Sequence, residues 1–167
     1  LIRYNASTRT LVIAYANGNI DLMTSDGIYN LPFLKNTTNI QDKTLNAIDL
    51  SGDRAYLSAN FGILVIDLKK REVAETYRLD RRTTATALLG GSIYAATDSG
   101  LLAAATTDNL MDVANWKRVS LNSLDFDDQK IVGLGAFRDR LCFVASGGGL
   151  FYRDTDGSIK TLRKQTN

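Results

Sequence analysis

Few residues in this sequence are of a type and spacing that could do chemistry. The densest set of carboxylates is Asp125, Asp127 and Asp128, and two carboxylates could serve a glycosidase or a lyase. They lie between predicted strands of successive repeats, so a solvated loop is the better interpretation. The chain contains no histidine, which excludes Ser-His-Asp and Cys-His catalysis and removes the commonest zinc ligand. We therefore predict that the protein is not an enzyme and has no catalytic, cofactor-binding or metal-binding residues.

Two short motifs resemble ligand-binding loops but are better explained as turns. Asp154–Gly157 (DTDG) begins like a calcium-binding loop, but the later ligands and the closing glutamate are missing. Ser146–Gly149 (SGGG) could suggest a phosphate cradle, yet a strand follows it, so no helix N-terminus would face an anion. Both segments are predicted to be hairpin turns.

Composition limits the classes of partner. The 167 residues are 44% hydrophobic and 23% charged, which is typical of one globular domain. A net charge of +2 gives no reason to expect a nucleic-acid partner, and no apolar stretch is long enough to span a membrane. Because the chain begins at Leu1 rather than methionine, we expect the natural N-terminus and any signal peptide to lie outside it.

A repeat with glycine at its centre is the main structural signal. Gly18, Gly62, Gly100 and Gly149 recur at intervals of 44, 38 and 49 residues, which matches the period of propeller blades. A bulky residue stands six positions before each glycine and a small residue four before it. These are Val12, Tyr56, Tyr94 and Phe143, and Ala14, Ser58, Ala96 and Ala145. The pattern predicts equivalent hairpins in which glycine supplies positive φ, with the bulky residues packed between repeats.

Further strand candidates flank each hairpin. They are Leu45–Leu50, Thr84–Leu89 and Ile131–Phe137 upstream, and Ile28–Phe33, Val73–Leu79, Trp116–Leu121 and Ile159–Leu162 downstream. Four strands per repeat is the content of a propeller blade. We therefore predict an all-β fold, a β-propeller fragment of about four blades, each a four-stranded antiparallel meander. The fragment is a single domain, 1–167, with blades at approximately 1–34, 44–79, 84–121 and 130–163.

The composition of two predicted strands indicates whether their faces are covered. Leu11–Ala16 and Leu141–Ala145 are nearly continuous in apolar or small residues, which predicts strands covered on both faces. Cys142 is accordingly predicted to be a small buried hydrophobic residue. Pro32 falls in a predicted fourth strand, where an outer edge tolerates the missing N–H.

The third repeat carries an insertion. Thr107–Asn115 is predicted to form a short helix capped by Asp108, placed before the outer strand at Trp116. Trp116 is the single tryptophan, and we predict that it lies in the core rather than acting as a surface anchor. A β-sandwich does not explain the repeated glycine, and a β-solenoid repeat is usually shorter. Because only Leu1–Asn5 precedes the first hairpin, we expect a cut first strand and a larger parent ring, of about seven blades.

The first two repeats carry a family resemblance at the level of individual residues. The segments are Tyr4–Asn5, Thr10–Asp21, Gly27–Asn30, Asp42–Asn46, Ala55–Ser58, Phe61–Lys70 and Glu75–Tyr77. They resemble the N-terminal β-propeller of PorZ-type proteins of the Bacteroidetes type IX secretion system. The related two-component regulator propellers usually carry a Trp-(Ile/Val)-Gly-Thr motif, whereas the strands beginning at Tyr56 and Tyr94 read YLSA and YAAT.

This resemblance implies a function that the residues alone do not indicate. It implies an exported protein of the periplasm or cell surface, with partners in the secretion machinery or an envelope glycolipid. The corresponding hypothesis is a non-enzymatic interaction scaffold in the propeller of a secretion-accessory protein. The alternative is a periplasmic ligand-sensing propeller of a two-component hybrid histidine kinase.

An open arc of blades leaves one apolar face uncovered at each end. Large uncovered apolar patches are rare on soluble monomers and tend to become interfaces. We therefore expect the fragment to form a homodimer, or to self-associate in another way, through its end blades. Because the missing blades would cover these faces in the parent protein, we expect this association to result from truncation.

Overall fold

The computed structural model describes residues 1–121 and 130–163. The chain divides into two compact units, Leu1–Thr83 and Thr84–Asn167. Each unit contains two antiparallel sheets of four strands, and the strands of every sheet follow one another in chain order. This is the meander that the repeat predicts, so the predicted fold class is confirmed.

The first unit contains the first and second sheets. The first sheet is β1 (Ile2–Asn5), β2 (Thr10–Ala14), β3 (Ile20–Thr24) and β4 (Gly27–Leu31). A helical turn, α1 (Phe33–Asn36), leads to the second sheet. The second sheet is β5 (Leu45–Ser51), β6 (Arg54–Ala59), β7 (Gly62–Asp67) and β8 (Glu72–Arg78).

The second unit contains the third and fourth sheets. The third sheet is β9 (Thr83–Leu89), β10 (Ser92–Thr97), β11 (Gly100–Ala105) and β12 (Lys117–Arg118), with a 3₁₀ helix at Val113–Asn115. The fourth sheet is β13 (Ile131–Phe137), β14 (Arg140–Ala145), β15 (Leu150–Arg153) and β16 (Ile159–Arg163).

Each unit has a core between its two sheets. The buried residues of the first core are Val12, Ala14, Ile20, Leu22, Leu34, Ile40, Ile48, Ala55, Leu57, Leu64, Ile66 and Leu68. Those of the second core are Ala85, Ala87, Ala96, Leu101, Ile131, Leu141, Phe143, Ala145 and Phe151. Polar contacts fasten the sheets beside these cores: Asn5 Nδ2 donates to Gly52 O at 2.9 Å, and Thr84 Oγ1 donates to Ile131 O at 2.9 Å.

The four glycines lie in the corresponding hairpin of each sheet, but they do not occupy equivalent positions. Gly62 and Gly100 begin β7 and β11 after two-residue turns, with φ of 136° and 116°. In the first and fourth sheets the loops are longer, and the residues with positive φ are Gly18 and Gly148 rather than Gly149. The expectation for Gly149 was therefore wrong by one residue.

Because of this difference in loop length, Phe143 does not occupy the strand position that Tyr56 and Tyr94 occupy in their sheets. Tyr56 and Tyr94 lie three residues before Ala59 and Thr97, the strand residues that pair with the hairpin glycine. In the fourth sheet Ala145 N donates to Gly149 O at 3.0 Å, so Cys142, and not Phe143, lies three residues before the paired residue. Phe143 is buried on the face toward the third sheet, whereas Cys142 is only half-buried.

Three local predictions are corrected. Pro32 follows β4 and stands at the N-terminus of α1, so it is outside the strand. The insertion contains a short helix as predicted, a 3₁₀ helix, but the capping carboxylate is Asp112, which accepts from Ala114 N at 2.9 Å, and not Asp108. The first strand is present as β1 and pairs with β2 over its whole length, although β5, β9 and β13 have seven residues each.

The prediction for Trp116 is confirmed. Its side chain is 6% exposed, and its indole Nε1 donates to Leu110 O at 3.0 Å. The tryptophan therefore anchors the insertion to the edge of the third sheet. Across residues 1–121 and 130–163, no helix combines the length and hydrophobicity needed to span a membrane.

Candidate interaction surface

The two ligand-like motifs are turns, as predicted. Asp154–Gly157 connects β15 and β16, with Gly157 N donating to Asp154 O at 2.9 Å, and Ser146–Gly149 connects β14 and β15. Asp125, Asp127 and Asp128 lie outside the described residues. Within the described part of the chain, no group of three or more His, Cys, Asp or Glu side chains could hold a metal ion.

The first sheet has one face toward its core and an opposite face that is not covered. We call the latter the first outer face and define it by Ile2, Tyr4, Leu11, Ile13, Asp21, Met23, Ile28 and Asn30, which are paired across the strands. Tyr4, Met23 and Ile28 are 59%, 46% and 64% exposed. Tyr4 pairs with Leu11, Leu11 with Met23 and Met23 with Ile28, so one apolar row crosses all four strands.

Within this chain β2 is covered on one face only, as is expected of an end blade in an open arc. Along β2, Thr10, Val12 and Ala14 are buried while Leu11 and Ile13 are only half-buried. The apolar content of Leu11–Ala16 therefore serves two faces, of which the chain itself covers one. A sheet with an apolar face of this kind buries it against another element, and in a β-propeller that element is the adjacent blade.

A polar cluster borders the apolar row at the β2–β3 hairpin. Tyr15 Oη donates to Asp21 Oδ2 at 2.9 Å, and Asn30 Nδ2 donates to Asp21 Oδ1 at 2.7 Å and to Asn19 Oδ1 at 2.9 Å. These bonds hold the amides, the phenol and the carboxylate in fixed orientations at the surface. The first outer face thus combines an apolar centre with a polar border, which is the anatomy of protein interfaces.

The bonds in this cluster also fix its charge. The hydrogen bond from Asn30 lowers the pKa of Asp21 below its ordinary value, with smaller contributions from Tyr15 and Asn19. Asp21 in turn accepts a hydrogen bond from Tyr15, and this bond raises the pKa of the Tyr15 phenol. The cluster therefore presents one stable negative charge and a neutral phenol at physiological pH.

The fourth sheet has a comparable uncovered face with the opposite charge. We define the fourth outer face by Phe137, Arg140, Cys142, Val144, Leu150, Tyr152, Lys160 and Arg163. Val144 and Leu150 are 37% and 36% exposed, and Phe137 is 62% exposed. Asp154 accepts from Lys160 at 3.0 Å and lies 3.7 Å from Arg140. The face thus carries three cationic side chains, Arg140, Lys160 and Arg163, of which the first two lie beside the Asp154 carboxylate, and it is basic.

A titratable cluster on the second sheet was not predicted from the sequence. Burial raises the pKa of Asp49 to about 6, and Asp49 pairs across the sheet with Tyr56. On the same face Arg54 Nη1 and Tyr77 Oη each donate to Glu75 at 2.8 Å. Only the pairing registers of the four strands of this sheet bring these residues together, and no spacing along the chain reveals them.

The insertion in the third sheet forms one shallow cleft. Its volume is about 280 Å³, and it is lined by Ser92, Ala103, Ala104, Ala105, Asp108, Asn115 and Lys117. Lys117 Nζ already donates to Ala114 O at 2.7 Å, and Asn115 Nδ2 donates to Asn109 O at 3.0 Å. Because these polar groups hold the insertion together, the cleft is a weaker candidate than the first outer face.

Comparison with known protein structures finds a relative that shares this fold over almost the whole chain. The structure of PorZ, which is described as an essential bacterial surface component of the type IX secretion system of Porphyromonas gingivalis, has 31% sequence identity to this chain and a TM-score of 0.89. The similarity covers 99% of this chain, which spans only 22% of that protein. The comparison with curated proteins found no match.

More distant structures share the fold alone. The extracellular domain of BT4673, a two-component system of B. thetaiotaomicron, is 10% identical with a TM-score of 0.69, over 100% of this chain and 22% of that one. The Swd1 β-propeller domain of Myceliophteria thermophila is 12% identical with a TM-score of 0.72, over 98% of this chain and 55% of that one.

A family model settles the relationship. The model of the PorZ N-terminal β-propeller domain of the type IX secretion system matches residues 1–117, which include both sheets of the first unit and the third sheet as far as the first residue of β12. The four meanders are consequently blades of a β-propeller, and the chain belongs to the PorZ N-terminal β-propeller family.

Proposed function

We propose that this chain is a non-enzymatic interaction scaffold in the propeller domain of an exported, cell-envelope accessory protein of a type IX-like secretion system. Family membership supports this, because the related P. gingivalis protein is a bacterial surface component of that system. On the same ground we propose a periplasmic or cell-surface location. We also propose that the chain is one propeller fragment, 1–167, with blades at 1–34, 44–79, 84–121 and 130–163.

Family membership is the observation that carries the scaffold function, and the first outer face is a surface that we propose for its contacts. Tyr4, Met23 and Ile28 expose an apolar row beside the Asp21 cluster, so a partner can bury apolar area while satisfying ordered polar groups. Aromatic residues and methionine are enriched in such interfaces. Burying this row is favourable at roughly 25 cal/mol per Å² of apolar area, before the costs of association.

The residue inventory supports a role without catalysis. The chain has no histidine, so the commonest general base is missing from all 167 residues. The group whose pKa lies nearest neutrality among the shifted carboxylates is Asp49, at about 6 because of burial. Asp49 is half-buried on a strand of a packed sheet, and such an environment also arises in structural positions.

A binding assay with purified secretion components tests the scaffold function. The chain is immobilised, and each periplasmic or surface component of the same bacterium's type IX system is applied separately. We expect saturable binding of at least one component, weakened about tenfold or more by Met23→Lys, because a lysine charge would be buried in the interface. Met111→Lys is the matched control, since Met111 is 62% exposed on the insertion of the third sheet and is not a residue of the first outer face. If no component binds, or if Met23→Lys binds as well as wild type, the proposal is wrong.

The envelope glycolipid implied by the family resemblance stays a prediction. Purified lipopolysaccharide in the same assay tests it, and saturable binding would add a second class of partner. The sensor hypothesis receives support only at the level of fold, because BT4673 is 10% identical. We therefore propose one function.

A further inference from the structure

We propose that Asn17 in the β2–β3 hairpin is a site of spontaneous deamidation, at which the side-chain amide is replaced by a carboxylate. Asn17 and Gly18 form the one Asn-Gly pair in the 167 residues, and Asn17 is exposed. The reaction uses only the groups of one hairpin and water, so it does not depend on blades outside this chain. It is also independent of the proposed scaffold function.

The hydrogen bonds of the hairpin hold the reacting atoms close together. Asn17 Oδ1 accepts from Asn19 N at 3.0 Å, and this bond closes a ring that contains both the Asn17 Cγ and the Gly18 N. Gly18 N donates to Tyr15 O at 3.1 Å, and its φ of 80° is one that glycine adopts without strain. Because Gly18 has no side chain, its nitrogen approaches the amide carbon of Asn17 without steric hindrance.

The reaction proceeds through a cyclic imide. Gly18 N loses its proton to hydroxide and attacks Asn17 Cγ, and the bond from Cγ to Nδ2 then breaks. The Nδ2 group leaves as ammonia after it takes a proton from water. Negative charge develops on Oδ1 during the attack, and the Asn19 N–H already donates to this atom. Water then opens the imide at either carbonyl, which leaves aspartate or isoaspartate at position 17.

A second hairpin has the same turn with a carboxylate in place of the amide. In the turn between β15 and β16, Asp156 Oδ1 accepts from Ser158 N at 2.8 Å. Gly157 N donates to Asp154 O at 2.9 Å, and Gly157 has a φ of 86°. The hydrogen bond from Ser158 lowers the pKa of Asp156, so the carboxyl group is ionised at neutral pH and resists a nucleophile. Asp156 is therefore a matched reference that should form the imide much more slowly than Asn17.

Asn109 is the corresponding reference for the role of glycine. Asn109 Oδ1 accepts from Met111 N at 3.2 Å, so the same kind of side-chain turn forms, but the next residue is Leu110. The leucine side chain hinders attack by its own backbone nitrogen. We expect no measurable conversion at Asn109 over the time in which Asn17 is converted.

Conversion of Asn17 changes the charge beside the polar cluster of the first sheet. A carboxylate at position 17 lowers the formal net charge of the chain from +2 to +1. It lies in the hairpin that carries Tyr15 and Asn19, both of which donate hydrogen bonds to Asp21. The protein therefore acquires a second negative charge in this hairpin as it ages.

Peptide mapping by mass spectrometry tests the inference on the purified protein after incubation at mildly alkaline pH. We expect the mass increase that accompanies replacement of NH₂ by OH at Asn17, with both aspartate and isoaspartate as products. Conversion should be about threefold or more faster in the folded protein than in the protein unfolded by urea, because the turn positions the reacting groups. Asn17→Gln should abolish it, since the longer side chain would have to close a larger and less favourable ring.

Three results would overturn the inference. An Asn17 that stays intact in the folded protein, or that reacts more slowly there than in urea, would show that the turn protects the amide. Equal conversion at Asn109 would show that glycine is not the reason for the reaction. Conversion of Asp156 as fast as that of Asn17 would show that the amide is not required.

Discussion

Gly62 and Tyr77 approach each other so closely that the Tyr77 carbonyl oxygen occupies the space of a side chain at position 62. Gly62 begins β7 and pairs with Arg78 of β8, and its φ is 136°. Glycine is thus required for two reasons: it adopts this backbone conformation without a Cβ clash, and it lets β8 pass at hydrogen-bonding distance.

We expect Gly62→Ala to lower the free energy of unfolding by about 3 kcal/mol or more, because backbone strain and a clash with β8 add together. Urea denaturation measures the change. Gly52→Ala is the control, since Gly52 also has positive φ, 55°, but a Cβ there meets nothing within 4 Å. The control should cost about 1 kcal/mol. Equal losses for the two variants would contradict a close-approach role for Gly62.

Trp116 should be the residue that holds the insertion of the third sheet. Trp116→Phe removes the indole donor from Leu110 O and leaves that carbonyl without its bond, while a ring remains in the core. We expect the free energy of unfolding to fall by about 1–3 kcal/mol. Thermal unfolding followed by circular dichroism measures it, with Met111→Ala as the exposed control on the same insertion. A Trp116→Phe variant as stable as wild type would show that the ring alone anchors the segment.

The repeat made the architecture predictable, whereas the register within hairpins depended on loop length. Gly62 and Gly100 follow two-residue turns, but Gly18 and Gly148 lie inside longer loops, so counting back from glycine misplaced Phe143. A glycine in sequence signals positive φ without stating the turn type.

The faces of the strands were less predictable than the strands themselves. The Leu11–Ala16 run is apolar on both sides, so the sequence indicates that both should be covered but not what covers them. The raised pKa of Asp49 and the Asp21 cluster arise from side chains on different strands. Their proximity depends on pairing registers such as Asp49 with Tyr56, which composition and spacing do not specify.

We expect the pKa of Asp21 to change by different amounts when its two hydrogen-bond partners Asn30 and Tyr15 are removed one at a time. Because the Asn30 hydrogen bond is the largest cause of the lowered Asp21 pKa, Asn30→Ala should raise that pKa most. Tyr15→Phe removes a smaller contribution and should raise it less. Carbon-detected nuclear magnetic resonance titration of the Asp21 carboxyl group measures both. If neither variant shifted the titration, the cluster would not be formed in solution.

Asp49 should make the stability of the chain depend on pH. In the unfolded chain its carboxyl group titrates near 3.8, and in the folded chain burial raises the pKa to about 6. Between these values the folded state binds more protons than the unfolded state. The contribution of Asp49 to the free energy of unfolding therefore falls as pH rises from about 4 to 6 and stays low above that.

Asp49→Asn removes this penalty, because the amide is neutral at every pH. We expect the variant to exceed wild type in free energy of unfolding by about 1–3 kcal/mol at pH 7.5, and the difference to vanish near pH 4. Urea denaturation of both proteins at several pH values measures it. Asp98→Asn is the control, since it makes the same substitution at an exposed position in a turn. An Asp49→Asn variant less stable than wild type at pH 7.5 would mean that the charged carboxylate has a stabilising partner in the folded protein.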